Sequence, residues 1–242
     1  MEREFPPPRR AGLQGSALVG LLAHLGLADR PAAPPSFVEG LGRWLGWKEA
    51  IPLSAVLQAQ ALPGPAAVAR APSAQALRQT AALEREFLRV QQALQSAIAD
   101  DRSVAQEDGQ SFLPFRRRCF GLQQAMDAAI GPLRTQLRTA VSRVSPTLAQ
   151  LAALDAVMAS TLAAREQAQL AQLPVLLEKH FTRLRSAAET TLDDTPWLQR
   201  FRLDMQQLLL AERDLRLQPA QGLLATLQAA HTAPPSPERP HE

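Results

Sequence analysis

Three observations predict an all-α protein. Alanine and leucine supply most of the 46% hydrophobic residues, tyrosine is absent, and aromatics reach only 5%. β-Branched residues are scarce too, so the side chains that suit a pleated, half-buried surface are largely missing. Apolar positions instead recur in alternating steps of three and four, the spacing that lines one face of a helix. A β-sandwich, barrel or doubly wound sheet does not fit this pattern. The 242 residues are enough for one large domain or two small ones. The predicted architecture is a set of long antiparallel helices forming an elongated bundle or helical hairpin, with a small N-terminal three-helix module.

Residues 1–11, with Pro6, Pro7 and Pro8, read as a flexible leader. Leu18, Leu22 and Leu25 fall at helical spacing and predict a first helix. The same stretch follows Arg9 and Arg10 and imitates a secretory signal, but Glu2, Glu4, the proline run and His24 argue against that reading. Prolines between 31 and 35 separate it from a second helix that opens with the capping-box pattern Ser36-Phe37-Val38-Glu39 and runs to about Trp47. Pro52 suits the first turn of a third helix over 53–61, where its missing N–H goes unused. Residues 12–61 form the N-terminal module, and the Pro/Ala-rich stretch 62–72 reads as a linker.

The segment 73–230 carries the long helices. Ser73 is a plausible N-cap, and Ala76, Thr80, Leu83, Phe87, Val90, Leu94 and Ala97 form a stripe ending near residue 100. Such a helix spans roughly 40 Å at 1.5 Å per residue. A second stripe runs through Phe115, Cys119, Leu122, Met126, Ala129, Leu133, Leu137, Ala140 and Val144, with a kink or break expected at Gly131-Pro132. Pro146 opens a third helix carrying Leu148, Leu151, Leu154 or Asp155, Met158 and Leu162, expected to kink at Pro174 and continue through Leu177, Phe181, Leu184 and Ala188. Asp193-Asp194-Thr195-Pro196 then supplies an N-cap and helix start for Trp197, Phe201, Met205, Leu208 and Leu215. Pro219 reads as the start of a last short helix with Leu223, Leu224 and Leu227. Short loops at 145 and 193 favour antiparallel neighbours. Residues 231–242, rich in proline, cannot bury a core and read as a disordered tail.

Enzyme signatures are missing: there is no Gly-rich phosphate loop, Gly-x-Ser-x-Gly or His-Glu-x-x-His. The single cysteine, Cys119, excludes an intrachain disulfide and a multi-cysteine zinc site. Its place in the apolar stripe reads as a buried, inert thiol. His180 and Glu178 stand two apart and so lie on different faces; His180 reads as a partly exposed helix residue. The acidic pairs Asp100-Asp101, Glu107-Asp108 and Asp193-Asp194 sit at predicted helix ends, where carboxylates cap helices. No catalytic residue, cofactor or metal site is expected. No uninterrupted run of about 18 to 20 apolar residues occurs, so no membrane-spanning segment is expected.

The net charge of +3 is not spread evenly. Residues 113–145 hold six arginines against Asp127 alone, more positive charge than the whole chain carries. Arg116, Arg117, Arg118, Arg134 and Arg138 are therefore candidate partner-binding residues. One reading is a surface for an acidic partner, a phosphate backbone or anionic lipid. The other is internal pairing with acidic neighbours such as Asp193, Asp194, Asp204 and Asp214. Lys48 and Lys179 are the only lysines, and a nucleic-acid surface usually draws on lysines and exposed aromatics as well, which favours internal pairing. Trp44 and Trp47, three apart and so on one helix face, are candidate interface anchors, with core packing an equal alternative.

Several segments together carry a resemblance. They include Arg43-Trp44-Leu45-Gly46-Trp47 leading to Ala50-Ile51-Pro52-Leu53-Ser54, Pro114-Phe115-Arg116-Arg117-Arg118 with Gln123-Gln124-Ala125-Met126, and Gly131-Pro132-Leu133-Arg134. Leu151-Ala152-Ala153-Leu154-Asp155-Ala156-Val157-Met158, Leu177-Glu178-Lys179-His180-Phe181 and the stretch from Leu210 to Pro219 extend it. The chain resembles, over nearly its whole length apart from leader, linker and tail, a bacterial family defined by a domain of unknown function. The resemblance brings no established activity and no functional residues. It implies a setting, that of a cytoplasmic accessory at the inner face of an envelope complex.

The function expected is a non-catalytic helical scaffold or adaptor mediating protein–protein interaction, self-associating through the 73–100 stripe. The alternative is binding of nucleic acid or another polyanion through the arginine-rich helix 113–145.

Overall fold

The computed structural model describes residues 17–28, 54–56, 58, 73–191 and 197–232. Six helices are labelled in chain order: α1 Ala17–His24, α2 Ala74–Ala99, α3 Leu113–Ser142, α4 Pro146–Leu170, α5 Leu173–Thr191 and α6 Trp197–Thr232. Residues 54–56 and 58 are helical as well, and no strand occurs among the described residues. The protein is all-α. Trp44, Trp47 and the 62–72 linker lie outside the described residues.

Local chemistry sets the helix ends. The Ser73 and Ser145 hydroxyls accept from the N–H groups of Ala76 and Leu148 at 3.1 and 3.2 Å, capping α2 and α4. α1 closes on Gly26, whose φ of 64° suits glycine. Leu27 and Gly26 N–H there reach back to the Leu22 and Ala23 carbonyls, a Schellman closure. The expected helix through Pro174 is two helices instead, broken at 171–172, with Pro174 in the first turn of α5.

Two prolines expected to interrupt helices do not. α3 runs unbroken through Pro132, and α6 continues through Pro219 to Thr232 rather than starting afresh. An interior proline costs about 3 kcal/mol. Beyond Pro219, however, Ala220, Leu223, Leu224 and Leu227 are all buried, and each leucine contributes about 1.5 to 3 kcal/mol. Packing therefore outweighs the proline penalty.

Contacts along the helices give their directions. Thr80 near the start of α2 bonds His231 at the end of α6, whereas Ile98 at the end of α2 meets Arg118 at the start of α3. Asp155 of α4 pairs with Arg134, the Leu170 carbonyl accepts from Gln123, and Glu178 of α5 pairs with Arg116. α4 and α5 thus form one interrupted line running antiparallel to α3. Among α2 to α6, neighbours are antiparallel with one exception. α3 and α6 run parallel, as the pairs Phe115–Phe201 and Gln123–Glu212 show. They form the central pair, flanked by α2 on one side and by α4 and α5 on the other, and α1 packs on α6.

One continuous core joins these helices, with Leu18 and Leu25 included. Its densest part is an aromatic cluster in which Phe201 packs against Phe112, Phe115 and Phe181, with ring centroids 5.1 to 6.1 Å apart. The α2 stripe, expected to be a self-association seam, is buried inside the bundle from Thr80 to Ile98.

Candidate functional site

The arginine-rich helix is the first place to look. Arg116 pairs with Glu178, and Arg134 forms a two-pronged pair with Asp155 at 2.6 and 3.0 Å. Arg138 approaches the same carboxylate at 3.6 Å. Arg118 donates to the Ile98 carbonyl at 2.9 Å, to the Ala97 carbonyl and to the Ser103 hydroxyl, closing the C-terminal end of α2. Arg117 is exposed and makes no ion pair among the described residues. The arginines are therefore mostly held within the bundle, but not by the acids the sequence suggested. Asp204 pairs with His180 and Asp214 with Arg213, while Asp193 and Asp194 lie outside the described residues.

His180 is corrected from a partly exposed residue to a buried one, 2% accessible. Its Nε2 lies 2.7 Å from Asp204, and its Nδ1 lies 3.0 Å from the NH2 group of Arg183. A guanidinium can only donate, so Nδ1 accepts and the ring proton sits on Nε2, directed at Asp204. Arg183 also donates to the Leu25 carbonyl at 2.6 Å. The group fastens α1, α5 and α6 together.

Sequence reasoning missed a second polar group inside the bundle. Glu212 is fully buried on α6 and accepts from Gln123 at 3.1 Å and from Arg216 at 2.7 and 2.9 Å. Arg216 also pairs with Asp127. Burial raises the Glu212 carboxyl above its ordinary pKa, against the pull of Arg216 and Gln123. Cys119 is fully buried beside it, and burial together with the Glu212 charge pushes the thiol up to about 12. A thiol so protonated is a poor nucleophile. The signal for Glu212 was its i, i+4 spacing to Arg216 on the face shared with Leu208 and Leu209.

α4 is the helix whose composition and packing disagree. Within Pro146–Thr190 an 18-residue window has mean hydropathy 1.4, and this helix is long and apolar enough to cross a membrane by length and composition. Only 6% of that window is buried. Across the window, no uninterrupted apolar run is needed, because alanines dilute the few polar residues. Ala152 and Leu170 are the only buried residues of α4, Leu151 is 39% exposed, and Leu154, Val157, Met158 and Leu162 are half-buried. Asp155 faces α3 through its arginine pair, and α4 packs mainly on α3. Gln150 on its flank donates to the Val56 carbonyl at 3.1 Å.

A sequence profile described as a protein of unknown function, DUF3348, matches residues 6–229. The chain belongs to the DUF3348 family. The match covers nearly the whole chain and so agrees with the near full-length resemblance read from the sequence. No curated protein and no solved structure matches the chain. Among the described residues of this DUF3348 chain, no group of three or more histidine, cysteine or acidic residues is arranged to hold a metal ion.

Proposed function

We propose that the protein is a non-catalytic helical adaptor whose protein partner docks on α4. The observation that carries this reading is the low burial of an apolar helix in a chain whose other long stripes are packed. The exposed Leu151 calls for an apolar partner surface, because a charged one would lose its hydration without a counter-charge. Asp155 stays paired with Arg134 and Arg138 on the α3 side, which favours a helix that remains on the bundle over one that leaves it for a bilayer. A cytoplasmic position beside an envelope complex is the setting that the family resemblance adds.

Polyanion binding through α3 has less support. Arg116, Arg134 and Arg138 already face carboxylates, and Arg118 is turned inward onto carbonyl oxygens. The test is quantitative recovery of the tagged full chain with its native partners, comparing wild type, Leu151→Arg and Arg117→Glu. The expected result is one protein partner lost from Leu151→Arg and retained by Arg117→Glu. Loss only from Arg117→Glu, or an unchanged set in both, contradicts the proposal.

A further inference from the structure

Charge compensation differs among the arginines in a way that marks a cavity. Arg116, Arg134, Arg138, Arg185, Arg213 and Arg216 are buried or half-buried, and each has a carboxylate at salt-bridge distance. Arg118 and Arg202 are half-buried as well, yet neither has one among the described residues. Both donate to neutral oxygens alone: Arg118 to the end of α2, and Arg202 to the carbonyls of Val104, Ala105 and Glu107 at 2.7 to 3.2 Å. The Nε of Arg202 is buried with no hydrogen-bond partner. Burial lowers the pKa of Arg118, against the smaller pull of Asp100 and Asp101, neither of which reaches it at salt-bridge distance.

These two arginines line the same cavity, of about 320 Å³, between the end of α2, the loop 100–112 and the first turns of α3 and α6. Its accessible apolar lining comes from Leu203 and Ala99, with Ile98, Val104, Phe115 and Met205 closed off behind them in the core. The one carboxylate on the wall is Asp101, which is exposed, while neighbouring Asp100 is taken by Arg102. The loop that roofs the cavity is fixed on the far side, where Gly109 at φ 79° sits against Trp197 and a Cβ would come within 2.8 Å of the indole.

We propose that this cavity is a binding site for a small amphipathic carboxylate, with the anionic head between Arg118 and Arg202 and the apolar body against Leu203 and Ala99. Guanidinium groups recognise carboxylates with paired, charge-assisted hydrogen bonds. At about 30 Å³ per water-sized unit the volume suits a ligand of about ten non-hydrogen atoms. The site is separate from α4, so it stands whether or not a partner docks there.

The probe is octanoate, titrated into the full chain by NMR, with octan-1-ol as the uncharged isostere and acetate as the head alone. Octanoate should saturate with shifts at residues around Arg118 and Arg202, and octanol and acetate should bind at least about ten-fold more weakly. Arg202→Gln also frees the loop that it holds, so Gln206→Glu is the decisive variant. It keeps both arginines and sets a carboxylate on the cavity wall one turn from Arg202. Gln206→Glu should lose at least about ten-fold in octanoate affinity and melt higher than wild type without ligand. Equal binding of octanoate and octanol, wild-type affinity in Gln206→Glu, or no saturable binding at millimolar octanoate overturns the proposal.

Discussion

α3 and α4 lie side by side, and their sequences invite opposite guesses about which one is inside. α3 carries five arginines, yet Phe115, Cys119, Met126, Leu133, Leu137 and Val141 along it are almost inaccessible. α4 holds one acidic residue in its apolar window and buries little. Among the described residues the difference lies in neighbours rather than composition. α3 is surrounded by α2, α4, α5 and α6, whereas α4 packs mainly on α3, makes a small contact with α6 and meets Val56 through Gln150. A concentration of charge can thus be structural, because a crowded helix must pair its charges with the elements around it. An apolar helix with few neighbours is the better pointer to a surface that something else covers.

The most damaging change should fall where α3, α5 and α6 meet. Phe201 is fully buried against three other phenylalanines, so Phe201→Ala should cost about 3 to 5 kcal/mol in denaturant unfolding. A loss below about 1 kcal/mol would show that the aromatic cluster does not organise the central pair.

Next in size is the buried polar group. Glu212→Ala leaves Gln123 and Arg216 facing a void and should cost about 3 kcal/mol, while Glu212→Gln, which keeps the shape and one acceptor, should cost clearly less. The pH response follows from the raised folded pKa. Between its ordinary value of 4.5 and the higher folded value, the native state binds more protons than the unfolded state at this site. The contribution of Glu212 to stability therefore falls as pH rises through that window and recovers as pH drops. Wild type minus Glu212→Gln should isolate this slope in melts at a series of pH values; an identical profile for both contradicts the assignment.

The smallest effect on stability belongs to α4. Leu151 is exposed, so Leu151→Arg should shift the melting free energy by no more than about 0.5 kcal/mol. A large loss would mean that the apolar surface of α4 is needed by the chain itself.

The stripes were legible because side-chain burial repeats with the helical period, and the misses are single-position slips or fall at a helix end. Ile98 is buried where Ala97 was expected, Ile130 where Ala129 was, and Val141 where Val144 was; Val144 is 37% exposed. A step of seven residues falls about 20° short of two full turns in a straight helix, so the buried position slips by one residue at Ile98 and Ile130, whereas Val144 lies past Ser142, where α3 ends. Pro219 misled for another reason, since local propensity says nothing of the leucines packed beyond it. The arginine partners Glu178 and Asp155 were not legible, because pairing depends on which helices become neighbours and those acids stand far along the chain. α4 was readable as a helix but not as an exposed one, because its alanines and leucines look the same whether or not anything lies against them.

The central claim is that contact with a partner is made by α4 and not by the arginine face of α3. Site-specific photo-crosslinking in the native cell, from position 151 on α4 and from position 117 on α3, tests it directly. The account predicts a discrete protein adduct from 151 and none from 117. An adduct from 117 with none from 151 would contradict it.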